Sequence, residues 1–145
     1  MEREAASVRY PTLAASPHPP YDVSSFAPPG VNIINNMMMA HFHRGPSALT
    51  YAWFYEQVRG HGPWDYKNQR GKQYANFGNF HYGAVGQAAG IPEEVLLRAA
   101  GWAQSRAGTS KPAYGDWYHS SPYGDDPDDQ AWIRMGIDYA KRTGF

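Results

Sequence analysis

Two carboxyl groups stand among aromatic residues in the middle of the sequence. Glu56 falls in the last turn of a predicted helix, where the negative helix end disfavours an acid. Asp65 follows in a loop that contains Gly and Pro, between Trp64 and Tyr66. Glycoside hydrolysis uses two such carboxyl groups, one kept protonated by apolar surroundings and one ionised. The pattern favours a glycoside hydrolase with Glu56 as the acid and Asp65 as the second catalytic group.

The same acids also have an ordinary structural interpretation. Glu56 can pair at the surface with Arg59 or Lys67, and Asp65 can cap its loop through hydrogen bonds to nearby backbone. The sequence admits this interpretation alongside the catalytic one.

Basic residues around these acids favour a second kind of chemistry. Residues 56–72 contain four basic and two acidic side chains, a local balance of +2. A nuclease would place the cations on phosphate groups and use His61 or His81 for proton transfer. Lys67 is a candidate catalytic residue in both interpretations, and a nucleic acid substrate is expected only in this one. The cations are Arg59, Lys67, Arg70 and Lys72.

Aromatic and amide side chains of the same stretch are the candidates for substrate binding. Five Trp and eleven Tyr are more than a core of this size can bury with every polar edge satisfied, so some rings should face a cleft. The candidate binding residues are Trp64, Tyr66, Tyr74, Phe77, Asn79 and Tyr82.

No metal ion and no cofactor are expected. The chain has no cysteine, its six histidines are scattered, and it lacks the common metal and phosphate motifs. The densest charge is the run Asp125, Asp126, Asp128 and Asp129, which the positive end of a following helix explains. A calcium or magnesium site there would need further oxygen ligands, such as Asp116.

Apolar spacing and helix-end signals predict five helices. They lie within residues 31–44, 48–59, 80–89, 91–107 and 127–143. Residues 60–79 are expected to form a loop or a small irregular hairpin, with Gly60 in a left-handed conformation, and residues 109–124 a second aromatic loop. The small residues Gly83, Ala84, Gly86 and Ala88 indicate a close helix contact.

Four of the five predicted helices carry an apolar face. The faces are Ile34, Met37, Met38 and Phe42; Tyr51, Phe54, Tyr55 and Val58; Val95, Ala99, Trp102 and Ala103; and Ile133, Ile137 and Ala140.

The length of 145 residues corresponds to one domain. Proline is concentrated near the N-terminus, so residues 1–30 are expected to form a linker or arm, and residues 31–145 the catalytic domain. An ordered strap, with Tyr21 and Phe26 docked on the domain, is the alternative. The predicted fold is a mainly α, single compact domain of about five helices with long aromatic, Gly/Pro-rich loops and an extended N-terminal arm.

Charge and hydropathy exclude several classes of protein. Thirteen Lys and Arg balance thirteen Asp and Glu, so the broad positive field of a dedicated nucleic-acid coat protein is missing. No apolar run has the length of a membrane span, and the N-terminal residues lack the apolar stretch of a signal peptide. We expect neither membrane insertion nor an export signal within this chain.

Several sequence blocks resemble the bacterial polymorphic toxin type 44 family. They are WFYEQVR (53–59), GPWDYK (62–67), YANFGNFHYGAVG (74–86), GDDPDDQ (124–130) and GIDY (136–139). The resemblance covers roughly residues 45–140, and Asp65 and Lys67 lie within the GPWDYK block itself.

The resemblance implies a toxin module of a secreted bacterial effector. Such a module is delivered into rival cells by a specialised secretion system and is neutralised in the producer by a cognate immunity protein. The Pro-rich arm would join it to a delivery module. For the activity, the sequence favours hydrolysis of peptidoglycan glycan strands in the target periplasm, with a metal-independent nuclease acting in the cytoplasm as the alternative and a non-enzymatic binding module as a second alternative.

Overall fold

The computed structural model describes residues 21–45 and 47–145, and within them the chain is mainly helical, as the sequence predicts, with no β-strand. Short 3₁₀ turns at 23–25, 72–74 and 112–114 connect the helices. The six helices are α1 (Ile33–Phe42), α2 (Ala48–Val58), α3 (Tyr66–Arg70), α4 (Ala75–Ala88), α5 (Glu93–Arg106) and α6 (Pro127–Arg142).

Helices α4 and α6 form the centre of the molecule. A Cβ atom on Gly83 would overlap the backbone oxygen of Ile133, and one on Gly136 would overlap that of Phe80. The two helices therefore cross at nearly the closest approach that backbones allow. This confirms the close contact predicted from the small residues of 80–89, and it places Phe80, Ile133 and Ile137 in the core.

Helices α1 and α2 form where predicted, but their buried faces differ from the predicted ones. In α1 the buried residues are Ile33, Met37 and Ala40, whereas Ile34 and Met38 are exposed and Phe42 is 84% exposed. In α2, Phe54 is buried as predicted, while Tyr51 and Tyr55 are exposed. Both helices contain apolar residues on more than one side, so hydrophobic spacing alone does not identify the packed face.

The face predicted for α5 is the wrong one. Leu96, Leu97 and Gly101 are buried, whereas Val95 and Trp102 are exposed. Gly101 packs against the backbone oxygen of Tyr123, a contact that only a residue without a side chain permits. Hydrophobicity does not reveal such a contact.

The segment 60–79 is a turn over 60–65 and largely helical from Tyr66 onward, rather than a loop or hairpin throughout. It contains α3, a 3₁₀ turn and the first turn of α4, which begins five residues before the predicted start. The left-handed residue is His61, with φ 64°, and not Gly60. The prediction failed because α3 has only five residues, too few to show an apolar period.

Residues 21–30 are an ordered strap across α4 and α6. Tyr21 donates a 2.8 Å hydrogen bond from its hydroxyl to Asp138. The ring of Phe26 lies 5.2 to 5.9 Å from the rings of Phe80, Trp132 and Phe77. This is the docking that the strap interpretation of Tyr21 and Phe26 predicts. Residues 1–20, the rest of the predicted arm, lie outside the described residues.

From Gly108 onward the structure agrees closely with the sequence prediction. The aromatic loop runs from Gly108, at φ 75°, to Asp126, which caps α6 by accepting a hydrogen bond from Asp128 N. Ile133, Ile137 and Ala140 are buried as predicted, and Gly144 follows the end of the helix at φ 98°.

Candidate functional site

The GPWDYK block forms a tight turn that leads into α3. Asp65 stands at the start of the helix, where its Oδ2 accepts a 2.7 Å hydrogen bond from His61 N and a 2.5 Å bond from Asn68 Nδ2. Gln69 closes the same turn by donating to the carbonyl oxygens of His61 and Gly62. These bonds fix the orientation of the Asp65 carboxylate and stabilise the left-handed residue at His61.

Glu56 lies on the outer surface of α2. Its side chain is 62% exposed and forms a 3.0 Å ion pair with Arg59 Nε. This is the surface pair that the structural interpretation of Glu56 describes. The structure does not show the apolar surroundings that would keep a carboxyl group protonated there.

A second group of carboxyl side chains lies at the start of α6. Asp125 is buried, and its two oxygens accept hydrogen bonds from Asp126 N at 2.9 Å and Gln130 Nε2 at 2.7 Å. Asp126 also accepts a 3.4 Å hydrogen bond from the hydroxyl of Tyr114. Burial is the main cause that raises the pKa of Asp125.

Among the described carboxyl groups, Asp129 has the most strongly shifted pKa. Its pKa is raised to about 6, first by burial and then by the neighbouring charges of Asp125 and Asp126. Lys67, on α3, is close enough to lower that pKa. The structure thus brings the predicted residue Lys67 near a partly buried acid that the sequence interpretation assigned only to helix capping.

A chain of aromatic and amide groups connects α1, α3 and α4. Asn36 Nδ2 lies 3.0 Å from both the hydroxyl oxygen of Tyr66 and Nε2 of His81. Trp64, Tyr66 and Phe77 surround the His81 ring. His81 is fully buried, and this burial lowers its pKa to about 3, so the imidazole is neutral at physiological pH.

The burial of His81 bears on the proposed nuclease chemistry. A proton-transfer group must reach the reacting atoms, and the His81 ring has no exposed surface. Of the two histidines suggested for that role, only His61 is exposed.

An open cavity of about 560 Å³ lies between the start of α1 and α3. Trp64 and Tyr66 contribute to its wall, although each has less than a tenth of its surface exposed. Its lining residues are Gly30, Val31, Asn32, Asn35, Asn36, Pro63, Trp64, Tyr66, Gln69 and Arg70.

The other predicted binding residues are spread over α4 and the turn before it. Phe77 is 1% exposed and belongs to the core. The hydroxyl of Tyr82 donates a 2.7 Å hydrogen bond to Leu96 O, which ties α4 to α5. Tyr74 and Asn79 are partly buried, and Asn79 Nδ2 donates to Ala75 O.

Two residues that the sequence interpretation did not select are central to this geometry. Asp129 lies in the acidic run, which the sequence interpretation explained by the positive end of the following helix, so its density was the one signal present. Asn36 had no signal, because its role depends on the spatial position of α4.

The described part of the chain contains no group of three His, Asp or Glu side chains arranged to hold a metal ion. None of its helices combines the length and the apolar character that a membrane span requires.

The geometry can now be compared with known proteins. A family model described as bacterial toxin 44 matches residues 52–142, which include α3, α4, α5, α6 and most of α2. The chain belongs to the bacterial toxin 44 family. Comparison with the curated proteins and with the solved structures gave no significant match.

Membership gives the domain a general role. Bacterial toxin 44 domains are toxin modules, so this chain carries a toxin effector domain. The family also indicates secretion, delivery into target cells and an immunity protein as partner. The matched region includes Asp65, Lys67 and Asp129, and it begins after α1.

Proposed function

We propose that this bacterial toxin 44 domain hydrolyses the glycan strands of peptidoglycan, with Asp129 as the proton donor. The observation that carries the proposal is the raised pKa of Asp129, about 6, in a partly buried position. A general acid works best when its pKa lies near the pH of the reaction. Burial and neighbouring carboxylates are the means by which glycosidases raise the pKa of their acid.

Lys67 has a distinct part in this proposal. Once Asp129 has given its proton to the leaving oxygen, its carboxylate is negative beside Asp125 and Asp126. The nearby positive charge of Lys67 lowers the energy of that state, since opposite charges favour the ionised form. A lysine in the GPWDYK block is thereby assigned to catalysis together with an aspartate of the GDDPDDQ block.

Asp65 is the proposed second carboxyl group, as nucleophile or base. Its Oδ2 is held by two donors, and none of the described residues donates a hydrogen bond to its Oδ1. A fixed carboxylate with one free oxygen suits either role. Glu56 remains the rival for the acid, but its exposure and its pairing with Arg59 favour Asp129 instead.

The decisive experiment measures soluble muropeptides released from purified peptidoglycan by the full chain and its variants. Asp129→Asn, Asp65→Asn and Lys67→Ala should each lower the release at least about a hundredfold. Glu56→Gln and the exposed-loop control Asp116→Asn should retain it. If only Glu56→Gln lost muropeptide release, Glu56 would be the acid. If all carboxyl variants kept full activity, the glycoside hydrolase proposal would be rejected.

A nuclease is the second candidate, favoured by one observation. Lys67, Arg70 and Lys72 are exposed, and among the described residues none of them forms an ion pair. Unpaired cations are available to phosphate groups. Expression with and without a periplasmic signal separates the two activities, because a wall hydrolase kills from the periplasm and a nuclease from the cytoplasm.

The same proposal assigns the place of action and the partners. The domain would act in the periplasm of the target cell, and a cognate immunity protein would protect the producer. The Pro-rich residues 1–30 would join the domain to the delivery module of a larger secreted protein.

A further inference from the structure

The cavity between α1 and α3 has the size of a ligand site and a mainly polar lining. Its volume of about 560 Å³ lies within the range of about 300 to 1,000 Å³ that is usual for small-molecule sites. Amide groups dominate its wall: Asn32, Asn35, Asn36 and Gln69. It lies beside the GPWDYK turn, on the side of α3 formed by Tyr66, Gln69 and Arg70.

The charge of the cavity is positive. Arg70 is its one ionisable side chain with a full charge at neutral pH, and no acid is part of the lining. Arg70 Nη1 donates a 2.9 Å hydrogen bond to Pro29 O, which holds the guanidinium group at the rim and leaves its other donors available. The N-terminus of α1, capped by Asn32, adds a partial positive charge to the same wall.

The buried His81 bears on the hydrogen-bonding roles of Asn36 and Tyr66, which line the cavity. Because the imidazole is neutral, its Nε2 can accept one hydrogen of Asn36 Nδ2, and the Tyr66 oxygen accepts the other. Both amide hydrogens of Asn36 are then used. Its Oδ1 is left as an acceptor, and the Tyr66 hydroxyl is left as a donor.

Among the lining residues, Arg70 and the Tyr66 hydroxyl can therefore donate to a ligand, and Asn36 Oδ1 can accept from one. A ligand that matches these groups has a carboxylate next to an N–H group. Peptides attached to a glycan strand have that combination.

We infer that this cavity binds the carboxylate-bearing peptide stem of the substrate, with the carboxylate on Arg70 and the Tyr66 hydroxyl and a peptide N–H on Asn36 Oδ1. The inference rests on the proposed function and names a subsite for it. The subsite is distinct from the proposed catalytic carboxyl groups, because neither Asp65 nor Asp129 belongs to the lining.

The test measures binding of muramyl dipeptide to the full chain by calorimetry. This probe has one sugar and no glycosidic linkage to cleave, so binding is read without turnover. The free-acid form should bind at least tenfold more tightly than the form in which its carboxylate is an amide. Arg70→Gln and Tyr66→Phe should remove most of that difference, whereas the exposed control Arg59→Gln should retain it.

Three outcomes would overturn the inference. They are equal affinity for the acid and the amide, no binding at millimolar concentration, and Arg70-dependent binding of a short oligoribonucleotide in place of the glycopeptide. The subsite and the proposed activity can fail separately. If Asp129→Asn leaves wall hydrolysis intact while Arg70-dependent binding persists, the acid assignment fails and the subsite stands. If muropeptide release depends on Asp129 while the probe does not bind, only the subsite fails.

Discussion

In Asp129, a single side chain, the raised pKa that suits an acid catalyst also lowers the stability of the folded protein. A carboxyl group whose pKa is raised on folding binds its proton more tightly in the folded state, so its ionised form destabilises the fold. The pKa of Asp129 rises from 3.8 to about 6 through burial and neighbouring acids. The ionised form that Asp129 takes after it gives up its proton therefore costs stability at neutral pH.

The first prediction concerns this cost. Asp129→Asn should raise the free energy of unfolding by about 1 to 2 kcal/mol at pH 7, because it removes a partly buried charge. The gain should shrink as the pH falls below about 6, where wild-type Asp129 becomes protonated in the folded state. Urea unfolding at pH 7 and pH 5 measures both values. A variant less stable than wild type at pH 7 would contradict a raised pKa at this position.

The second prediction concerns the pH dependence of activity. If Asp129 is the proton donor, wall hydrolysis should decline as the pH rises through about 6, because the protonated fraction falls. Lys67→Ala should move this decline to higher pH, since Lys67 lowers the pKa of Asp129. Rates of muropeptide release between pH 4.5 and 8 provide the check. If activity declined at the same pH in Lys67→Ala as in the wild type, Lys67 would have no influence on the pKa of the catalytic acid.

At the scale of elements, α5 positions the loop that leads into the acidic residues. Arg98 Nη1 donates hydrogen bonds to the backbone oxygens of Trp117 at 3.0 Å and His119 at 2.6 Å, and its guanidinium group lies over the Tyr123 ring. Gly101, one turn away, contacts the backbone of Tyr123. The geometry of Asp125 and Asp126 thus depends on a helix outside their own.

The third prediction tests this dependence. A methyl group at residue 101 would overlap Tyr123 O, so Gly101→Ala should displace the loop, cost about 1 to 3 kcal/mol of stability and lower activity at least tenfold. Ala103 is exposed on the same helix, so Ala103→Ser is the control and should change neither the stability nor the activity. Unfolding and muropeptide release on both variants give the comparison. An active, stable Gly101→Ala would mean that the loop does not depend on α5.

The helices differ in how well their bounds and buried faces can be predicted from the sequence. Helix α6 was predicted with its ends and its buried face, because Asp126, Pro127 and Gly144 are strong end signals and its isoleucines have a clear period. The buried face of α5 was not predicted, since it depends on Gly101 and on two leucines whose partners are distant in sequence. Helix α3 was missed because the bonds of Asp65 and Gln69, rather than an apolar period, define it.

The candidate site likewise contains residues that the sequence identifies and one property that only the fold reveals. Asp65 and Lys67 were selected from the sequence because they stand in one block with aromatic neighbours. Burial raises the pKa of Asp129, and the charge that opposes this rise comes from Lys67, which is 62 positions earlier in the chain. No local pattern contains that information, because it arises only when α3 lies beside the start of α6.

At the scale of the whole molecule, the crossing of α4 and α6 determines whether the core can form. Gly83 and Gly136 contact backbone atoms, which cannot move aside as a flexible side chain can. The crossing also fixes His81 and Phe80 in the core beneath the cavity and the strap.

The fourth prediction uses glycines of α4 as a matched pair. Gly83→Leu should destabilise the protein by about 3 kcal/mol or more, because the added side chain meets the backbone of Ile133. Gly78→Ala should instead stabilise it by about 0.5 to 1 kcal/mol, since a Cβ there meets nothing within 4 Å and alanine favours the helix. Urea unfolding of both variants measures the two signs. A neutral Gly83→Leu would contradict the close crossing.

The ordered strap has a mechanical consequence. Residues 21–30 lie between the preceding chain and the helices, so tension applied from the N-terminal side reaches the strap before it reaches any helix. The first bonds to bear it are the Tyr21 hydroxyl on Asp138 and the ring contacts of Phe26. Peeling these away uncovers Phe77, Phe80 and Trp132 at once. A secretion channel that pulled this domain by its N-terminal end would therefore open the core at the outset, and unravelling would start beside the tightest crossing in the fold.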